Sequence, residues 1–151
     1  MRALLRSFSL DPLALQTLEP GRKPFHTLNP ALARFKDGAV MPYGTMGGDG
    51  QPQTQATVFN RIQRFGLEPQ AAIELPRWLL GRTWGSASDS LKLEARFPNS
   101  TIEALRAMGH EVELLADWDE SVGHAGALIR QTDGLLMGGF DPRSNGAVAA
   151  F

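Results

Sequence analysis

The sequence predicts an α+β fold whose strands pair mostly in antiparallel fashion. Two hairpin turns, Asp37-Gly38 and Thr132-Asp133-Gly134, each lie between segments with strand character. Between these hairpins, apolar residues recur at helical spacing, so helices separate them along the chain. The length of 151 residues is typical of a single domain.

The turn-rich N-terminal segment, residues 1–30, predicts an extended strip rather than a helix. Prolines follow Asp11, Glu19, Lys23 and Asn29, and each proline disfavours helical geometry at the residue before it. A loop of this length is unusual in a compact domain, so we expect the strip to pack along another element or to build a site. Residues 31–151 are expected to form the sheet and the helices.

The first hairpin is predicted to pair residues 31–36 with residues 39–45. Pro42 lies in the second of these strands and has no backbone N–H to donate. The second strand is therefore expected to be an edge strand or to contain a bulge at Pro42.

Apolar spacing and helix-end residues predict two helices after this hairpin. Residues 53–65 place Val58, Phe59, Ile62 and Phe65 on one face, and Gly66 fits the position just past the helix end. A short helix is expected to begin near Glu68-Pro69 and to stop before Pro76.

The second half of the chain is predicted to add one helix and several strands. Ser100 and Glu103 have the spacing of a capping box at the start of a helix over residues 101–108. Ile102, Leu105 and Met108 would form its buried stripe. The predicted strands span residues 78–80, 91–95, 111–115, 125–131 and 135–140, with a surface loop at 85–90.

Composition excludes several classes of protein. The formal net charge of −1 argues against a dedicated nucleic-acid binder, and the chain has no cysteine for a disulfide, a zinc finger or a thiol nucleophile. No apolar run approaches the roughly 18 residues of a membrane helix, so we expect no membrane association. The N-terminal residues contain no export signal, which favours the cytoplasm.

The glycine-dense segment Gly44–Gly50 is the clearest candidate for a functional site. It is predicted to join a strand to a helix N-terminus, where free backbone N–H groups can hold a phosphate, a carboxylate or a developing oxyanion. The alternative is a tight turn that needs glycine for its positive φ angles. Neither a P-loop nor a Gly-x-Gly-x-x-Gly motif is present, so we expect no nucleotide and no other cofactor.

Other candidate residues allow a structural as well as a functional interpretation. The three histidines lack metal-ligand spacing, and no metal site is expected. His110 and His124 are interpreted as a structural and a loop residue, whereas His26 lies in the strip before the glycine segment and can line a site. Asp141 and Arg143 are more typical of a turn held by an ion pair than of a charged site. Trp78, Trp84 and Trp118 are interpreted as core or interface anchors.

Several motifs in one order resemble the small-subunit region of the γ-glutamyltransferases. The resemblance covers about Ser7 to Phe151. The motifs are Pro24-Phe25-His26-Thr27-Leu28-Asn29-Pro30, Lys36-Asp37-Gly38, Gly44-Thr45-Met46-Gly47-Gly48-Asp49-Gly50-Gln51-Pro52-Gln53, Phe65-Gly66-Leu67-Glu68-Pro69-Gln70, Pro76-Arg77-Trp78 and Asp141-Pro142-Arg143-Ser144-Asn145-Gly146-Ala147.

This resemblance implies part of an N-terminal-nucleophile hydrolase fold, an αββα sandwich that this chain forms incompletely. In the family, an N-terminal threonine released by self-cleavage attacks a γ-glutamyl carbonyl, and the acyl group passes to water or to an amino acid. Gly47 and Gly48 match the paired glycines of the oxyanion hole. His26 and Thr27 match two serines that hold the substrate α-carboxylate, and Ser7 matches an aspartate that holds the α-amino group.

The departures from the family pattern predict a divergent, acylase-like branch and a chain that is inactive alone. Ser7 and His26 depart from the residues that recognise γ-glutamyl groups. The nucleophilic threonine is expected upstream of residue 1, on another polypeptide segment or a large subunit that is the partner of this chain. The alternatives are a non-catalytic module that binds an anion at the glycine segment and a degenerate fragment without function.

Overall fold

The computed structural model describes residues 8–82 and 88–150. These residues form a four-stranded and a three-stranded sheet. The elements, in chain order, are β1 (Ala31–Arg34), β2 (Val40–Thr45), a 3₁₀ turn (Gly48–Gly50), α1 (Gln51–Gln63), α2 (Pro69–Glu74), β3 (Trp78–Leu80), β4 (Leu91–Glu94), α3 (Asn99–Ala107), β5 (Val112–Leu115), a second 3₁₀ turn (Glu120–Val122), β6 (Ala125–Arg130) and β7 (Leu136–Phe140).

The four-stranded sheet has the order β1-β2-β6-β7 and is antiparallel throughout. Both predicted hairpins are present, and β2 pairs with β6 to join them. The main core lies between this sheet and the first two helices. Its buried side chains are Met41, Val58, Ile62, Ala72, Ile73, Ala125 and Ala127.

The prediction that β2 is an edge strand or is bulged at Pro42 is wrong, because β2 lies inside the sheet between β1 and β6. The pairing with β6 joins Val40 to Arg130 and resumes at Tyr43 with Ala127 in the same register. Pairing is interrupted at Met41 and Pro42, without an inserted residue. The sheet therefore accommodates the missing donor by a gap in one ladder rather than by a bulge.

The three-stranded sheet has the order β3-β4-β5. β3 and β4 are antiparallel, whereas β4 and β5 are parallel and are joined by α3. Leu91, Leu93 and Ile102 form a second small core between this sheet and the helix. Of the five strand pairs in these two sheets, four are antiparallel and one is parallel. The chain therefore has the α+β fold with mostly antiparallel strands that the sequence predicts.

The predicted capping box is also wrong. Helix α3 begins at Asn99 and has Pro98 at its N-cap without a side-chain hydrogen bond, so Ser100 lies inside the first turn. Glu103 instead accepts a hydrogen bond from Arg106 at 2.7 Å. The predicted stripe is shorter as well, since Met108 lies after the helix and is 69% exposed.

Phe65 does not belong to the buried face that the sequence predicts for α1. The helix ends at Gln63, and Gly66 then takes a φ of +68°, as expected for a residue just past a helix end. This turn redirects the chain, so Phe65 is 74% exposed instead of packing beside Ile62.

The N-terminal strip forms neither a helix nor a paired strand in the described residues 8–30, apart from an isolated bridge between Ser9 and Thr17. Residues 23–30 lead directly into β1 and are mostly exposed. Trp84 and residues 85–87 of the predicted loop at 85–90 lie outside the described residues.

Candidate functional site

A cleft of about 530 Å³ lies between the N-terminal strip and the glycine segment. One wall consists of residues Thr27–Pro30, and the opposite wall consists of Gly44–Gly48 at the end of β2. Gln51, the first residue of α1, completes the lining. The structure thus brings Thr27 together with both glycines of the predicted oxyanion hole.

Glycine is required at the two adjacent positions where the chain turns from β2 into the 3₁₀ turn. Gly47 has a φ of +138° and Gly48 a φ of +53°, which side chains rarely allow. The Gly47 carbonyl accepts from the Gly50 N–H at 3.0 Å, and the Gly48 carbonyl accepts from Gln51. Within residues 8–82 and 88–150, neither the Gly47 nor the Gly48 amide donates a hydrogen bond. Two adjacent residues with unpaired amides in the described part of the chain thus line the cleft.

The segment Val122–His124 supports the glycine segment from behind. The Met46 N–H donates to the His124 carbonyl at 3.3 Å, and the Thr54 hydroxyl of α1 donates to the Val122 carbonyl at 2.9 Å. A Cβ added at Gly123 would lie 2.5 Å from both the Met46 carbonyl oxygen and the Thr45 hydroxyl oxygen. Only glycine allows this close approach.

A buried cluster of four charged residues holds Val122–His124 in turn. Arg77 donates to the Gly123 carbonyl and to Asp141, both at 2.5 Å, and the same Asp141 oxygen accepts from the Ala125 N–H at 2.7 Å. Arg143 donates to Asp141 at 2.9 Å and makes two bonds to Glu94, at 2.6 and 2.5 Å. The side chains of all four residues are almost completely buried.

Burial and pairing shift the pKa values in this cluster in different directions. Burial works to raise the pKa of Asp141, but the Arg77 charge and the hydrogen bonds from Ala125 and Arg143 outweigh it, and the pKa is lowered. Burial likewise opposes the charge of Arg143, but hydrogen bonds and charges from Glu94 and Asp141 raise its pKa. Nearby, burial lowers the pKa of Arg61 to about 10, with repulsion from Arg77 adding to the effect.

The Asp141–Arg143 ion pair agrees with the interpretation of this motif as a turn held by an ion pair. Sequence reasoning did not identify Arg77 and Glu94 as its partners. Glu94 follows Leu91 and Leu93 in a strand, and an acidic residue at a fully buried strand position would have been a signal. No local pattern links Arg77 to Asp141, which is 64 positions away.

The remaining predicted site residues occupy different surroundings. His26 is exposed and is not among the residues that line the cleft, whereas Thr27 is. Ser7 lies outside the described residues. His110 lines an apolar cavity of about 380 Å³ beside α3, away from the cleft. His124 is half-buried behind the glycine segment, and its Nε2 has no hydrogen-bond partner in the described part of the chain.

Trp118 lies against the charged cluster instead of in an apolar core. The Arg96 guanidinium is 3.4 Å from the centre of its ring, and the Arg143 guanidinium is 5.0 Å away. In residues 8–82 and 88–150, no group of three or more histidine or acidic side chains could hold a metal ion. No helix in those ranges is long and apolar enough to cross a membrane.

Comparison with known proteins identifies relatives along almost the whole chain. A family model described as gamma-glutamyltranspeptidase matches residues 4–151. The chain is 61% identical over 145 residues to an oxamate amidohydrolase proenzyme of Klebsiella pneumoniae, covering 96% of this chain and 28% of that protein. It is 46% identical to a glutathione hydrolase-like proenzyme of Bacillus subtilis, covering 93% of this chain and 27% of the relative. The chain thus spans little more than a quarter of either relative.

Solved structures share the fold. A cephalosporin acylase from Bacillus halodurans aligns with a TM-score of 0.74 and 31% identity over 100% of this chain and 27% of its own. A gamma-glutamyltranspeptidase from Helicobacter pylori aligns with a TM-score of 0.73 and 19% identity, covering 95% of this chain and 81% of that one. Because this identity is only 19%, the similarity to the Helicobacter pylori structure shows the shared fold alone.

Proposed function

Because the chain belongs to the gamma-glutamyltranspeptidase family and corresponds to its C-terminal subunit region, we propose that it forms the oxyanion-binding wall of an amide hydrolase. The observation that carries this proposal is the pair of adjacent amides, Gly47 and Gly48, which border a cleft and donate no hydrogen bond within the described residues. Backbone donors fixed in place stabilise the negative charge that develops on a carbonyl oxygen during acyl transfer.

The nucleophile in this proposal is a threonine on a partner polypeptide segment. Its hydroxyl oxygen attacks the amide carbonyl carbon, and the carbonyl oxygen becomes an oxyanion next to Gly47 and Gly48. When this intermediate collapses, the carbon–nitrogen bond breaks and the amine leaves with the proton that the threonine hydroxyl gave up. The remaining ester is hydrolysed by water to the carboxylate and the free threonine. The proenzyme relatives, of which this chain spans about a quarter, support the need for a further segment.

The proposed substrate is a small amide that carries a carboxylate. The relative with 61% identity is named for oxamate, which fits this description, and the relative with 46% identity is named for glutathione. We therefore propose oxamate as the first substrate and glutathione as the second. Thr27 lines the cleft opposite the glycines, and the exposed His26 precedes it on the same strip; in this proposal the two residues bind the carboxylate.

A Gly48→Val substitution in the assembled enzyme tests the oxyanion wall. No atom lies within 4 Å of a Cβ at Gly48, but the φ of +53° disfavours a valine there, so the substitution should move the Gly48 N–H out of position. Losing one oxyanion donor costs about 2.7–4 kcal/mol, so kcat for oxamate should fall roughly 100- to 1000-fold. The measurement is ammonia release under saturating oxamate.

Gly66→Val is the matched control, because Gly66 also has a positive φ of +68° and open space around its Cβ but does not line the cleft. Its amide has no role in the proposed hole, so its kcat should stay near that of the wild type. Thermal unfolding of both variants separates lost folding from lost catalysis. A folded Gly48→Val enzyme with wild-type kcat would refute the assignment of this amide.

A further inference from the structure

Among residues 8–82 and 88–150, one hydrogen bond joins the cleft wall of Thr27–Pro30, which follows His26, to the rest of the molecule. The side-chain Nε2 of Gln55 donates to the Asn29 carbonyl at 2.6 Å. Among the described residues, this is the one hydrogen bond made by residues 23–30. The strip is otherwise mostly exposed, and its neighbouring prolines contribute no backbone donors.

Gln55 is well placed to transmit the position of α1 to this wall. It is only 9% exposed and lies one helical turn after Gln51, which lines the cleft beside the two glycines. The same helix is joined by the hydrogen bond from Thr54 to Val122 to the segment that supports the opposite wall from behind. Two successive residues of α1 thus bind the strip on one side and the support of the glycine segment on the other.

We propose that Gln55 is a positioning residue that sets the distance between the proposed carboxylate-binding strip, where Thr27 lines the cleft, and the proposed oxyanion-binding amides of Gly47 and Gly48. This inference rests on the proposed function. Gln55 touches neither the substrate nor the reacting atoms in this proposal. Its loss should weaken substrate binding, which depends on the strip, and should leave the chemical step at the glycines largely unchanged.

The principal test is Gln55→Met in the assembled enzyme, because methionine has a similar length and volume but no N–H to donate. We expect KM for oxamate to rise roughly five- to tenfold, while kcat changes less than about twofold. A tenfold change in affinity corresponds to about 1.4 kcal/mol, the size of one buried hydrogen bond. Gln63→Ala is the control, since Gln63 is exposed at the far end of the same helix.

A second variant, Gln55→Glu, distinguishes positioning from a general loss of packing. A carboxylate cannot donate to the Asn29 carbonyl, but a protonated carboxyl group can, and burial raises the pKa of a carboxyl group. The ratio of the variant's KM to the wild-type KM should therefore decrease as the pH falls from about 7.5 to 5.5. A ratio that stays constant, or a fall in kcat with KM unchanged, would overturn the proposal.

Limited digestion with chymotrypsin separates this inference from the proposed function, because Phe25 and Leu28 of the strip are exposed cleavage sites. If the wild-type enzyme hydrolyses neither oxamate nor glutathione, the proposed function fails, but the rate of cleavage after these two residues still reports the tether. Faster cleavage there in Gln55→Met than in Gln63→Ala supports the tether, and equal cleavage in both variants refutes it.

Discussion

At the scale of single residues, Asp141 connects more of the molecule than any local pattern suggests. One of its carboxylate oxygens accepts from Arg77 and from the Ala125 N–H, and the other accepts from Arg143. The carboxylate therefore joins the start of β3, the start of β6 and the C-terminal segment. Through Arg77 it also supports Gly123, against which the glycine segment packs.

Asp141→Asn should destabilise the chain strongly while keeping the size of the side chain. Removing one member of a buried ion pair leaves its partners charged and buried, which costs about 3–5 kcal/mol. Urea unfolding at pH 7 measures this loss. Asp89→Asn is the control, because the Asp89 side chain is 79% exposed and its contact with Arg82 lies at the surface.

The pH dependence of stability should change in the same variant. The pKa of Asp141 is lowered in the folded state, so its stabilising effect is complete above the ordinary value of 3.8 and is lost as the pH falls through the folded value. Below about pH 4 the free energy of unfolding of the wild type should therefore fall with decreasing pH. The corresponding fall should be smaller in Asp141→Asn, and parallel curves would contradict the assignment.

At the scale of the elements, the beginning of α3 shows how a helix can start without a side-chain cap. Pro98 occupies the N-cap, and its carbonyl accepts from the Thr101 and Ile102 amides at 2.9 and 3.2 Å. Packing of Ile102 against Leu91 and Leu93 then holds the helix on the sheet. Tertiary burial, rather than the Ser100 hydroxyl, accounts for this helix start.

Ser100→Ala should therefore leave stability almost unchanged, within about 0.3 kcal/mol, whereas loss of a true N-cap costs about 1 kcal/mol. Asp119→Ala provides the comparison, because the Asp119 carboxylate accepts from the Ser121 N–H at 2.9 Å at the start of the second 3₁₀ turn. Chemical denaturation of the two variants gives the difference. A loss of stability near 1 kcal/mol in Ser100→Ala would show that the Ser100 hydroxyl does cap the helix.

Elements with a local signal could be predicted from the sequence, and those that depend on distant partners could not. Asp37-Gly38 and Gly66 specify a turn and a helix end through their own backbone preferences, and the structure has both. The interior position of β2 depends on β6, about 85 residues later, so Pro42 alone was misleading. The glycine segment could also be identified, because it too depends on the backbone preferences of its own residues. The contacts of Arg77 and Gln55 could not be predicted, because their partners are distant in sequence.

At the scale of the whole molecule, the four-stranded sheet has two apolar faces. Its inner face packs Met41, Ala125 and Ala127 against α1 and α2. On the other face, Leu32 is 58% and Leu128 52% exposed, beside an apolar groove that is also lined by Pro42 and by Val148 of the segment after β7. A sheet with both faces apolar is stable in water only when a second layer covers the outer one.

The proposed partner segment is expected to cover this outer face, so Leu128→Glu should prevent its assembly with the chain. A buried, unpaired carboxylate is costly in the interface, whereas a side chain that is half exposed in the separate chain can carry charge at little cost. Gel filtration with the partner polypeptide measures the loss of complex. Met108→Glu, at an exposed position after α3, should assemble normally. Equal assembly of both variants would show that the interface lies elsewhere on the chain. Weakened assembly of both would indicate a general effect of the added charge.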